Sequence, residues 1–293
     1  MPPEDIRLHE DTDLFLASIR YTERVVGFSS SLIEKDYHCT RVLRYLAQSA
    51  VSPLVFKGGT CLGKVHADFF RLSEDLDFSI PTSPASGRQD RRRAAAPLKA
   101  AFDDMLRHLG FARKAPFKGA NNSSHYGGTL TYRSVVTKEE QTIKVEVGLR
   151  EPLLLPAESL PARTLLMDPL RRREAVPPVR ILALSRLEAY AEKVRAALSR
   201  EIPAPRDFFD LDYAAAHLGL ALDDPAFLRL VEQKLAVDAR ARIDVSPDRR
   251  AALERQLDPE LKPVLRPDDF ASFELGRIFS QLQALALRLP SRP

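Results

Sequence analysis

The chain has 293 residues, 44% apolar and 29% charged, a balance that excludes a disordered polymer and is long enough for one large domain or two ordinary ones. Lysine and arginine outnumber aspartate and glutamate by 44 to 40, so the chain is mildly basic, which is compatible with a polyanionic partner without requiring one. Two cysteines, an acidic N-terminus without an apolar stretch, and no run approaching the roughly 20 apolar residues of a membrane helix argue against a disulfide scaffold, a cysteine zinc site, a secreted precursor and a membrane protein; a cytoplasmic protein is expected.

Residues 11–50 read as helices. Ser31 and Glu34 have the spacing of a capping box, and Tyr37, Val42, Leu43 and Leu46 follow at helical intervals. Leu54, Val55 and Phe56 predict a short buried strand. Gly58-Gly59 breaks it, and residues 60–70 return to helix with Leu62, Val65 and Phe69 on one side. Residues 72–80 alternate: Leu76, Phe78 and Ile80 point one way, Asp75, Asp77 and Ser79 the other. A polar loop with Arg91-Arg92-Arg93 leads into a helix over 95–109. Residues 112–128, basic and rich in Asn, Ser and Gly, are expected to be irregular, with Phe117, His125 and Tyr126 available to stack on an unpaired nucleotide. Two strands follow, over 128–136 and 141–149. In the second, Ile143, Val145, Val147 and Leu149 face inward and Lys144 and Glu146 lie on the other face.

The proline-rich stretch 152–178, with Arg171-Arg172-Arg173, is expected to connect two lobes, 1–160 and 161–293. The second lobe reads as helical. Leu184, Leu187, Ala191, Val194 and Leu198 form one stripe, and Lys193 lies off it, near Arg186 and Tyr190. Asp207 and Asp210 are three residues apart on a likewise helical segment, and Arg206 is spaced to pair with Asp210. His38, His66 and His125 have no metal-ligand spacing and read as packing or surface residues.

The chemistry concentrates between residues 56 and 80. Asp75 and Asp77 share one face of a strand, their α-carbons about 6.5–7 Å apart. Two ionised carboxylates about 6 Å apart in a partly desolvated cleft repel by about 3 kcal/mol at an effective dielectric near 20, and by well under 1 kcal/mol on a wet edge. They are therefore either solvated or share a cation, and the apolar side of the strand favours the cation. Hard oxygen donors suit Mg²⁺ or Mn²⁺. Glu146, on the polar face of another strand, is a candidate third carboxylate, and three such groups are able to hold two divalent ions across a phosphoryl centre. Gly58-Gly59-Thr60, between a strand and a helix, lets backbone N–H groups approach a phosphate, with the Thr60 hydroxyl adding a contact.

Phe56-Lys57-Gly58-Gly59-Thr60 followed by Ser73-Glu74-Asp75-Leu76-Asp77-Phe78 resembles the signature of the AbiEii family of nucleotidyltransferase toxins, which includes the MenT proteins and belongs to the DNA polymerase β-like superfamily. Ile33-Glu34-Lys35-Asp36-Tyr37, Ile143-Lys144-Val145-Glu146-Val147, Leu187-Glu188-Ala189-Tyr190-Ala191-Glu192-Lys193-Val194-Arg195-Ala196 and Arg206-Asp207-Phe208-Phe209-Asp210-Leu211 are similar to further blocks of that family. Cys61 stands where Ala is usual and His38 where Trp is common, departures that touch no charged group. The resemblance implies an α+β fold: a nucleotidyltransferase lobe with a mixed sheet flanked by helices, a mainly helical C-terminal lobe, and an active site in the cleft between them.

By the same resemblance Asp75 and Asp77 are metal ligands, with Mg²⁺ or Mn²⁺ as cofactor. Lys57, Gly58, Gly59, Thr60, Ser73, Lys193 and Arg195 bind the NTP. Glu146, Lys193 and Asp210 complete the catalytic set, Asp210 orienting Lys193 or Arg195. The implied function is toxin action in a type IV toxin–antitoxin or phage-defence pair. It proceeds by transfer of NMP from an NTP to the 3′ end of tRNA with release of pyrophosphate, which blocks aminoacylation. The implied partners are RNA and an antitoxin encoded nearby. The alternatives are transfer to a protein hydroxyl or a small molecule, or a non-catalytic NTP- or RNA-binding protein.

Overall fold

The computed structural model describes residues 5–49, 53–83, 85–237 and 242–289. The chain divides into two compact units, Met1–Leu184 and Ser185–Pro293. The expected division at 160/161 falls inside a strand of the first unit, Glu158–Ala162.

The first unit opens with α1 (Thr12–Val26), capped by the Asp11 carboxylate, which accepts from Leu14 N at 3.0 Å, and closed by Gly27 at φ 77°. Helix α2 (Ser30–Gln48) follows. The expected capping box at Ser31 does not form. Ser29 occupies the cap, and Glu34, fully buried, accepts from Ser134 Oγ and from Val135 N at 2.7 Å. Its carboxylate is spent on a distant turn.

Next come β1 (Val55–Lys57), α3 (Gly58–Cys61) with its π-helical continuation Leu62–His66, β2 (Leu76–Ser79) and α4 (Arg88–Leu109). Strands β3 (Ala112–Ala120), β4 (His125–Arg133) and β5 (Glu140–Gly148) form an antiparallel meander, followed by β6 (Glu158–Ala162), β7 (Met167–Asp168), β8 (Arg173–Glu174) and β9 (Val179–Ala183). The main sheet runs β3-β4-β5-β2-β1-β9-β6. It is mixed: β2 pairs parallel with β5 and β1 parallel with β9, while β1 and β2 are antiparallel.

The sheet separates two environments. On one face Phe56, Leu76, Phe78, Val145 and Val147 are at most 1% exposed and join one core cluster with Val42 and Leu43 of α2 and Leu98 and Phe102 of α4. Alternation along the same strands puts Lys57, Asp77 and Glu146 on the opposite face. A second cluster, Phe15, Ile19, Ile33, Tyr37, Leu72 and Leu166 among others, anchors α1 and α2.

Two expectations are corrected here. Residues 112–128 are not irregular: they form β3, the turn and the start of β4. Phe117 and Tyr126 are buried, their rings stacked 5.9 Å apart, with Phe102 5.1 Å from Phe117, so neither is available to a nucleotide. The stretch 152–178 is not a bare connector, because it carries β6 at the sheet edge, where Pro161 is tolerated, and the β7–β8 ribbon.

The second unit is helical: α5 (Arg186–Ser199), α6 (Pro205–His217), α7 (Pro225–Ala236), α8 (Pro247–Gln256), α9 (Pro267–Ser272) and α10 (Leu275–Arg288). Helix α5 is capped by Ser185, so Leu184 precedes it, and Leu187 is 44% exposed. The buried face is Tyr190, Ala191, Val194, Ala197 and Leu198, rotated from the expected stripe.

Candidate active site

The first centre lies where β1 turns into α3. Gly58 has φ +77°, a left-handed conformation that costs glycine nothing. A β-carbon at residue 58 would lie 2.8 Å from Asp77 Cβ and 2.9 Å from Asp77 Cγ. The Gly58 backbone is thus packed directly on the Asp77 side chain. A β-carbon on Gly59 would meet Arg71 Nη2 at 2.7 Å and Ser73 Oγ at 3.0 Å. Gly58 is required both by its left-handed φ and by the close approach of Asp77, whereas a β-carbon on Gly59 would press on the end of the Arg71 side chain.

Thr60 donates its hydroxyl to the carbonyl of Asp75, tying the start of the helix to the acidic strand. Strand register adds the rest. Lys57 pairs with Asp77 across β1–β2, and Asp77 pairs with Glu146 across β2–β5. Lys57, Asp77 and Glu146 therefore stand side by side on one face. Register brings together Asp77 and Glu146, far apart in the chain, as the alternation of both strands suggests.

Glu146 has partners of its own: Lys144 Nζ at 2.6 Å and His125 Nε2 at 3.3 Å, both on Glu146 Oε1. The hydrogen bond to Glu146 is the main reason the Lys144 ammonium is held above the ordinary lysine range. Burial opposes the shift, and the charges of Glu146, Asp75 and Asp77 reinforce it. Lys144 is thus a second cation on this face, beside Lys57. Alternation places it on the polar side of its strand without assigning it a role.

The carboxylates suit one class of divalent-ion site and not another. Mg²⁺ commonly uses one or two carboxylates and completes its shell with water and substrate phosphate oxygens. Asp75 and Asp77, hard oxygen donors beside a glycine turn, fit that pattern. They do not fit an all-protein cage: among the described residues, no three His, Cys, Asp or Glu side chains are grouped to hold an ion. Glu146, engaged by Lys144 and His125, is accordingly not counted as a ligand.

The helix behind the turn is braced from α2. Lys64 ion-pairs with Asp36 at 2.7 Å and donates to Thr40 Oγ1 at 2.7 Å and to the Arg163 carbonyl at 3.1 Å, with Lys64 3% and Asp36 7% exposed. Asp36 also accepts from Leu165 N at 2.9 Å. Lys35 pairs with Glu74, in the middle of the Ser73–Asp75 motif. The charged block 34–36 is therefore buried structure, each residue directed to a different loop. Arg71, 2% exposed and set against Gly59, is the neighbour of the turn that no sequence pattern singles out.

The second centre belongs to the helical unit. Lys193 of α5 meets Asp207 Oδ1 at 2.8 Å and Asp210 Oδ2 at 2.9 Å, both on α6. Asp207 also faces Arg200 Nη1 at 3.3 Å. The side chains of Asp207 and Asp210 are 3% and 0% exposed, and that of Lys193 is 14% exposed. The expected pairing of Asp210 with Lys193 is present, and Asp207 joins it as a residue whose spacing suggests only a surface group. From the same helix, Glu188 and Glu192 are bridged by Lys234 of α7, at 2.7 Å and 2.9 Å.

A family model described as the nucleotidyl transferase AbiEii toxin of a type IV toxin–antitoxin system matches residues 41–282. Among solved structures, JHP933 from Helicobacter pylori is similar with a TM-score of 0.53 at 18% identity, covering 89% of this chain and 92% of that one. MenT4, a nucleotidyltransferase toxin from Mycobacterium tuberculosis, is similar with a TM-score of 0.53 at 21% identity, covering 89% of this chain and 93% of that one. At these identities the likeness is one of fold. No curated protein sequence gives a significant match.

Proposed function

This chain belongs to the AbiEii family of nucleotidyltransferase toxins of type IV toxin–antitoxin systems, and from that premise we propose that it transfers a nucleoside monophosphate from an NTP to the 3′-hydroxyl of an RNA, the acceptor end of tRNA. The observation that carries this reading is the contact of the Gly58 backbone with the Asp77 side chain. In this reading it sets a phosphate-binding turn and a metal-binding carboxylate against each other.

The acceptor oxygen then bonds to the α-phosphorus, the α–β anhydride bond breaks, and pyrophosphate leaves. Lys57, the Gly58 and Gly59 backbone, Thr60 and Ser73 hold the phosphates. Lys193 and Arg195 are, by the family resemblance, the nucleotide-binding cations of the helical unit, with Asp210 and Asp207 fixing the Lys193 ammonium. Asp75 and Asp77 would hold Mg²⁺ or Mn²⁺. When bound, such an ion neutralises developing charge on the phosphates and lowers the pKa of the attacking hydroxyl. Glu146, one strand from Asp77 and hydrogen-bonded by Lys144, receives the proton. Positioning and charge neutralisation supply most of the rate in such transfers. Release of the toxin's grip on translation is assigned to a cognate antitoxin.

The test is incubation with each α-labelled NTP, Mg²⁺ and total RNA. Label on tRNA that vanishes in Asp77→Asn is the expected result. Label on protein or on a small molecule would move the acceptor, and no label anywhere, with the fold intact, would overturn the reading.

A further inference from the structure

The row of in-register residues that contains Lys57, Asp77 and Glu146 does not stop at β5. Glu146 pairs with Gly127 of β4, and Gly127 pairs with Lys118 of β3, the edge strand. One line on one face thus runs from Asp77 over Glu146 and Gly127 to Lys118. Three inter-strand steps make it about 14 Å long.

Two independent features mark this strip. The first is charge. Between Asp104 and Glu139 there is no acidic residue, whereas Arg107, Arg113, Lys114, Lys118, Arg133 and Lys138 all fall there. Six of the chain's 44 basic residues and none of its 40 acidic ones lie in this stretch, so acids outnumber cations elsewhere. Of these, Arg107 lies on α4 and pairs with Asp104, and Arg113 pairs with Asp103 at 3.0 Å, so Lys114, Lys118, Arg133 and Lys138 are the cations that the hairpin and its flank contribute.

The second is Gly127. Neighbouring glycines have packing reasons: a β-carbon at Gly128 would lie 2.8 Å from the Phe102 ring, and one at Gly119 would lie 2.9 Å from the Tyr126 ring. At Gly127 it would meet only His125 Nε2 and the Val145 carbonyl, both at an ordinary 3.7 Å. Its φ is not in the positive region. Nothing within the fold demands glycine there, although glycine weakens a strand. Glycine in a strand interior often marks the close approach of a ligand.

We propose that this strip is a track for single-stranded polynucleotide: the backbone of the strand whose 3′ end reaches Asp77 passes over the bare floor at Gly127, and Lys118 holds a phosphate at the sheet edge. The inference deepens the reading above and rests on it for the direction of the strand. The chemistry favours nucleic acid over a protein partner, because the large apolar side chains of this hairpin, Phe117, Tyr126 and Leu130, are buried on the opposite face. Arg91, by contrast, belongs to α4, which packs on that opposite face, and it is occupied with the Ser86 and Asn122 carbonyls.

The test uses the full chain, a fluorescent single-stranded RNA oligonucleotide for polarisation, and a fluorescent ATP analogue for the nucleotide site. Lys118→Glu is expected to weaken RNA binding about tenfold at low salt and to lower the salt slope by about 0.7 for each phosphate it no longer neutralises. Gly127→Val is expected to weaken RNA binding similarly, and both variants keep wild-type ATP-analogue affinity. Gly127→Ala, for which the structure has room, controls for folding and should give a smaller effect of the same sign. Unchanged RNA affinity in both Lys118→Glu and Gly127→Val would overturn the track, as would an acidic polypeptide that binds the hairpin while RNA does not. Wild-type protein that binds RNA on this strip yet never labels it would instead sink the transfer reading and leave the track standing.

Discussion

Gly58 and Asp77 touch because residue 58 has no side chain: the space where a β-carbon would stand is filled by the Asp77 side chain, with Cβ at 2.8 Å. Gly58→Ala therefore meets two penalties, a left-handed backbone at φ +77° and a steric clash with a carboxylate. The conformational part costs about 1 kcal/mol. The clash is relieved only by turning Asp77 away from its place beside Glu146. Nucleotidyl transfer is expected to fall by at least a hundredfold while the melting temperature drops by a few degrees. Initial rates and a thermal melt on the same preparation check this, and an active Gly58→Ala enzyme would show that the position of Asp77 is not critical.

Lys193 is held between two carboxylates in the helical unit. Lys193→Met takes the shared ammonium away from two buried carboxylates while Asp207 keeps Arg200 Nη1 at 3.3 Å; breaking a fully buried pair costs about 3–5 kcal/mol, and the cost is less here, since the lysine is partly exposed. Adding Asp210→Asn removes one of the two carboxylate charges and is expected to recover part of the loss. A double-mutant cycle in urea checks this, with a coupling energy above about 1 kcal/mol expected. On the proposed function, in which Lys193 is a phosphate-binding cation, activity should not recover with stability, because the double variant still lacks it.

Lys64 and Asp36 make the same kind of prediction at the first centre, with a different outcome. Lys64 holds Asp36, Thr40 Oγ1 and the Arg163 carbonyl. Lys64→Met should lower stability by about 3 kcal/mol or more, because Asp36 is left buried. Asp36→Asn should cost less, since an amide oxygen still accepts from Leu165 N, which lies 2.9 Å from the native carboxylate. Equal losses in the two variants, read by chemical denaturation, would show that the pair acts only as a spacer.

Much of this arrangement is legible in the chain because period-2 alternation survives intact in β2 and β5. Asp77 and Glu146 announce their shared polar face through Phe78, Val145 and Val147 on the other. The glycine turn is equally plain. What the pattern hides is through-space. Arg71 sits on Gly59, Lys64 reaches back to Asp36 on another helix, and Asp207 reaches Lys193 from the next one; none of these has a local signature. Strand β3 escapes notice because two register shifts, between Arg113 and Ala115 and between Ala115 and Lys118, break its alternation. The start of α5 is displaced from the expected stripe because Ser185 caps the helix, which leaves Leu184 outside it and Leu187 exposed.

His38 gives the last prediction, one of pH. Its ring lies 4.0 Å from that of Tyr132, 5.2 Å from Tyr37, 5.7 Å from Phe111, 5.7 Å from His9 and 6.1 Å from Phe15, with the Arg41 guanidinium at 3.4 Å from Nδ1. Burial, reinforced by the charge of Arg41, holds the imidazole well below its ordinary value of 6.5. The folded protein therefore keeps His38 neutral under conditions in which the unfolded chain protonates it. Stability from this group is complete above pH 6.5 and declines as pH falls below it, because the unfolded state binds the extra proton. The loss is at most about 1.4 kcal/mol per pH unit for one histidine. His9, shifted the same way by burial and Arg41, adds to it. His38→Phe fills the same aromatic slot without a titrating nitrogen. Urea unfolding at pH 7.5, 6.0 and 5.0 should show a shallower acid decline in the variant than in the wild type. Parallel declines would mean that other groups set the acid limit and that His38 binds its proton as readily in the native core as in the unfolded chain.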